Sequence, residues 1–88
     1  MNLKYFISEN CGVCHAMEPK IKKIAEELEI NFEVFEISKN KEISGQLLIF
    51  TVPVLILFND NLEIKRWVRN FSMIELKKYL IDYKSYFI

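Results

Sequence analysis

The sequence predicts an α/β fold: a central mixed four-stranded sheet flanked by three helices, in the order β-α-β-α-β-β-α. Three observations carry that expectation. Met17, Ile21, Ile24 and Leu28 recur at three- and four-residue steps between two short strand-like runs. The run VPVLILF, at 52–58, is apolar throughout, as a strand covered on both faces should be. Behind it come a hairpin pattern and a helix-capping pattern.

Taken in order, Leu3 to Ile7 reads as a short buried strand, and Ser8-Glu9-Asn10 interrupts it with turn and cap formers. A helix follows from Cys11. Pro19 lies inside it and should kink it, because one backbone donor is missing there. NFEVFEIS, at 31–38, reads as the second strand and NKEISGQLLIF, at 40–50, as a short helix. VPVLILF is the third strand. NDN, at 59–61, turns tightly into LEIKRWV, at 62–68, to close a hairpin. Ser72 and Glu75 form a capping box, with Phe71 and Leu76 as its hydrophobic staple, for a helix reaching about Lys84. A strand, a crossover helix and a strand give a parallel pair, and the hairpin adds an antiparallel edge. The whole of 1–88 is expected to be one domain. The apolar tail YKSYFI, at 83–88, packs back on the sheet or mediates self-association, two readings that stay open.

Composition excludes several functions. Twelve basic residues balance twelve acidic ones, which leaves no electrostatic case for nucleic acid or an anionic membrane. The Lys-rich stretch 20–23 is followed by acidic residues one turn on, the pattern of a solvated helix face. The first ten residues hold no apolar run of signal-peptide or anchor length, so a cytoplasmic protein is expected. In a reducing compartment, two cysteines point to catalysis or metal binding more than to a structural staple.

Those cysteines stand in Cys11-Gly12-Val13-Cys14-His15. The C-x-x-C-H pattern also attaches c-type haem, with His15 and Met17 or Met73 as possible axial ligands. The strand-rich pattern lacks the helical wrap of a small cytochrome, and the thiol pair is the better reading. At a helix N-terminus Cys11 faces unpaired amides and the positive end of the helix dipole, which favour its thiolate. Cys14 follows one turn later on nearly the same face, placed to attack a mixed disulfide on Cys11. Gly12 is expected to permit a close approach, and Val13 to form an apolar lid. His15 is read as a solvent-facing first-turn residue rather than a partner of Cys11. Trp67 is read as packing on the sheet.

A rival of a different class is a C-x-x-C metal-binding module or metallochaperone for Cu(I) or Zn. His15 is the only further ligand nearby, so such a site would be open or shared between chains.

The chain resembles the thioredoxin-like superfamily over almost its whole length. Three features carry the resemblance: Cys11-Gly12-Val13-Cys14 opening a helix after the first strand, Pro19 five residues past Cys14, and TVPVLILF at 51–58. The closing stretches DNLEIKRWV and SMIELKKYL match the family's hairpin and last helix. The resemblance implies a thiol–disulfide oxidoreductase with Cys11 as attacking nucleophile and Cys14 as resolving thiol. It implies a cis-proline at Pro53, beside the pair, and substrate binding by the Val52 backbone. It implies disulfide-containing protein or low-molecular-weight substrates, a reductase as electron donor, and no cofactor. Three departures stand out. Asn10 and Val13 replace the tryptophan and proline of the family's Trp-Cys-Gly-Pro-Cys. Tyr5 stands where thioredoxins bury an aspartate six residues before the first cysteine, and Glu9 or a water is left as its substitute. VRNFSM, at 68–73, has neither the Gly-Gly pair of glutaredoxins nor the glycine of thioredoxins.

Overall fold

The computed structural model describes residues 1–86, so the end of the 83–88 tail lies outside the described residues. The strands are β1 (Asn2–Ile7), β2 (Asn31–Glu36), β3 (Val54–Asn59) and β4 (Leu62–Val68). The helices are α1 (Gly12–Glu27), α2 (Lys41–Gln46) and α3 (Met73–Ser85). The four strands form one sheet in the order β2-β1-β3-β4. β1 and β2 run parallel, joined through α1, while β3 is antiparallel to both β1 and β4.

The side-chain alternation of β1 sorts the core into two layers. Leu3, Tyr5 and Ile7 face α1 and α3, meeting Ile21, Ile24, Leu76 and Leu80 together with Leu55 and Leu57 of β3. Phe6 faces the other side, where Val54, Ile56, Phe58 and Ile49 gather and Ile43 of α2 packs on them. Val54 to Phe58 are all buried, which is why this stretch carries no polar alternation. Lys77 of α3 pairs with Glu27 of α1 at 3.0 Å, and the Lys84 ammonium donates to the Leu28 carbonyl, tying the two helices. Trp67, half-buried on β4, meets Tyr79 edge-on at 5.4 Å and Phe71 at 6.4 Å on the same side.

Several boundaries differ from expectation. The second strand stops at Glu36, and Ile37–Lys39 form a single 3-10 turn. The Glu36 carboxylate accepts from the Ser38 amide at 3.3 Å and from the Ser38 hydroxyl, which bends the chain off the sheet. The second helix is shorter than 40–50, ending at Gln46 because Leu48 adopts φ 57°. Leu48 and Ile49 then donate back to Gly45 and Ser44. The third strand starts at Val54, leaving Val52 and Pro53 in the loop before it. Pro19 lies inside α1, as expected. The Ser72 hydroxyl caps α3 by accepting from the Glu75 amide at 3.3 Å.

Candidate functional site

β1 ends at Ile7, and the chain turns so that the Cys11 amide donates to the Ser8 carbonyl at 3.2 Å. Cys11 is the N-cap of α1, with extended backbone angles (φ −93°, ψ 100°), and its Sγ accepts from the Cys14 amide at 3.1 Å. The sulfur thus does what a serine or aspartate oxygen does at other helix starts. A negative charge on it would be favoured by that amide and by the helix dipole. The two cysteines are joined as a disulfide, with Cα atoms 5.2 Å apart. Their surroundings differ sharply: Cys14 is 0% exposed, whereas Cys11 keeps part of its surface open.

Gly12 borders open space. A Cβ built on it meets none of the described residues within 4 Å, so no contact among them requires a glycine there. Val13, by contrast, presents an apolar surface beside Cys11 and is half exposed.

Behind Cys14 stands Tyr5. Its ring is fully buried, and its hydroxyl donates to the Cys14 carbonyl at 2.8 Å. Burial first, and the charge of Glu18 second, push this hydroxyl up to about 12, so it remains a neutral donor. Sequence reasoning treated Tyr5 only as a missing acid. The signal that would have found the bond is its place in the alternation Leu3, Tyr5, Ile7: a tyrosine facing the core needs a partner for its O–H. Glu9 is exposed, and its carbonyl accepts from the His15 ring at 3.1 Å; His15 itself faces solvent. The bond requires the proton on Nε2, because a carbonyl can only accept.

Val52 and Pro53 lie at the same end of the sheet. Val54 pairs with Phe6 in the antiparallel register, so the residues before it sit beside the exit of β1 toward Cys11. The Val52–Pro53 peptide is cis, and the Pro53 carbonyl accepts from the Arg69 amide at 2.7 Å. Val52 packs, half-buried, on the same apolar cluster as Cys11 and Cys14. It makes no backbone–backbone hydrogen bond among the described residues. Nor do three or more His, Cys, Asp or Glu side chains gather anywhere among the described residues so as to hold a metal ion. No helix among them is long and apolar enough to cross a membrane.

A fold of this kind with a paired Cys11 and Cys14 supports thiol–disulfide oxidoreductase chemistry in general. Comparison with known proteins agrees. The thioredoxin family model matches residues 2–82. A thioredoxin-like protein of Bacillus subtilis (strain 168), YdfQ, is 34% identical over 77 residues, covering 83% of this chain and 68% of that protein. Thioredoxin 1 from the thermophilic eubacterium Thermosipho africanus TCF52B superposes with a TM-score of 0.91 at 40% identity, over 97% of this chain and 96% of the other. A mutant thioredoxin from Halobacterium salinarum NRC-1 superposes with a TM-score of 0.85 at 25% identity, over 92% of this chain and 72% of that one. With a family model spanning residues 2–82 and a fold that superposes over almost the whole chain, the chain belongs to the thioredoxin family.

Proposed function

We propose that this chain, acting as a single domain, exchanges disulfides through Cys11 and Cys14, with Cys11 attacking and Cys14 resolving. The observation that carries the order of attack is the unequal exposure of the two sulfurs: a substrate reaches Cys11 at the helix start, whereas Cys14 is sealed under it. In the first step the Cys11 thiolate attacks one sulfur of the substrate disulfide; a mixed disulfide forms and one substrate thiolate leaves. In the second, Cys14 loses its proton and attacks the Cys11 sulfur. The mixed bond breaks, the second substrate thiolate departs and takes up a proton, and two electrons have passed to the substrate. A reductase or dithiol donor of the cytoplasm returns the pair to the reduced state. The substrate chain lies against Val52 and Pro53, where the Val52 backbone has hydrogen-bonding capacity to offer an extended segment. Its partners are disulfide-bearing proteins or small disulfides.

The test is a pair of variants challenged with a coloured aryl disulfide and with protein disulfides. Cys14→Ser should accumulate stable mixed disulfides on Cys11, counted by mass, while Cys11→Ser should form none. Trapping by Cys11→Ser instead would reverse the order. If the wild-type chain forms no Cys11–Cys14 disulfide at any poise of a thiol buffer, exchange is not its chemistry and metal binding by the pair takes its place.

A further inference from the structure

The Tyr5 hydroxyl reaches the backbone of the resolving cysteine, not the attacking one. We propose that Tyr5 is a positioning residue for Cys14: its bond to the Cys14 carbonyl pins the first turn of α1 to the sheet and fixes where the Cys14 sulfur meets Cys11. The inference rests on the exchange reading above.

The geometry gives the bond its leverage. Tyr5 sits on an inner strand, paired to Val34 on one side and Leu55 on the other, and its ring packs near Phe32 with centroids 6.1 Å apart. It is therefore a rigid post. The first turn of a helix, by contrast, lacks intrahelical partners for its amides and frays readily. Anchoring Cys14 there limits the conformations open to its side chain before closure, which raises its effective concentration toward the mixed disulfide on Cys11. The balance of the step is unchanged: Cys14 gives up a proton, its sulfur bonds to the Cys11 sulfur, and the substrate thiolate leaves. Tyr5 neither gains nor loses a proton, since its hydroxyl stays neutral in the working range; Glu18 is the charged group acting on it.

Tyr5→Phe tests this, because it keeps the buried ring and removes only the hydroxyl. Attack by Cys11, measured in Cys14→Ser and in the double variant with Tyr5→Phe, should proceed at one rate. Resolution by Cys14, followed in single turnover, should slow about fivefold, the effect of losing one neutral hydrogen bond. The same factor makes the pair easier to reduce, moving its potential about 20 mV less negative. The shape of the pH–rate profile should not change. Equal resolution rates and potentials in the two proteins would overturn the proposal. So would equal slowing of attack and resolution, which marks a general structural role, or an altered pH profile, which marks proton transfer. A wild-type chain that attacks but never resolves would sink the exchange reading itself, and this inference with it, whatever Tyr5→Phe does.

Discussion

Tyr5 also leaves a signature in stability. Its hydroxyl ionises near 10 in an unfolded chain and at about 12 in the folded one. Below pH 10 both states are protonated, and folding is indifferent to this group. Between pH 10 and 12 the unfolded chain sheds the proton while the folded chain keeps it, so stability must fall with rising pH, by on the order of 2 kcal/mol. Urea midpoints taken across that range should drop more steeply for the wild type than for Tyr5→Phe; parallel curves would refute the buried, neutral hydroxyl. At this scale the sequence was partly legible. A C-x-x-C pair after a strand announces its own placement, because local spacing and the helix N-terminus suffice to position it. The Tyr5–Cys14 bond joins residues nine apart across a strand–helix junction, and nothing local fixes its length. Gly12 was not legible for a similar reason: whether a glycine is needed depends on what stands opposite, and within the chain no described residue lies within 4 Å of a Cβ built there.

The helix ends teach a related lesson at the scale of elements. α1 closes with Glu29 at φ 56°, its amide donating to Glu26 and the Ile30 amide to Ala25, while α2 closes the same way at Leu48. Such endings are usually marked by glycine, and here there is none to read. Buried Ile30 and Ile49, each just past its helix, hold the turns shut from the core side. The left-handed conformation costs a non-glycine residue about 1–2 kcal/mol, and glycine's extra freedom in the unfolded chain returns roughly half of that. Glu29→Gly should therefore stabilise the protein by about 0.5–1 kcal/mol, read as a higher urea midpoint at unchanged slope; a loss of stability would mean the Glu29 side chain matters more than its backbone. The elements themselves were readable where pattern was strong, as in the Met17–Leu28 stripe and the Ser72 cap. Boundaries were missed where a side chain captured the backbone, as Glu36 does at the end of β2.

For the molecule as a whole, the continuous run Val54 to Phe58 foretold a strand shielded on both faces, and β3 indeed lies inside the sheet. Its hairpin partner β4 was legible in the NDN turn, but that β1 would flank it on the other side was beyond pattern, since that adjacency is decided by how the two apolar layers close over β1 and β3. β2 is an edge strand with Val34 exposed, paired on one side only. Amide exchange should accordingly be slowest in β1 and β3 and faster in β2; equal protection across all four strands would argue that the sheet opens only by global unfolding. The placement of Trp67 gives such experiments an unplanned asymmetry. It is the chain's one indole, and it rests among Phe71 and Tyr79 on the α1–α3 side. Tryptophan emission during denaturation is thus a record kept by one layer, while the Phe6–Phe35 stack on the far side stays dark. Far-ultraviolet circular dichroism hears both, so laying the two transitions over each other asks whether the layers come apart together.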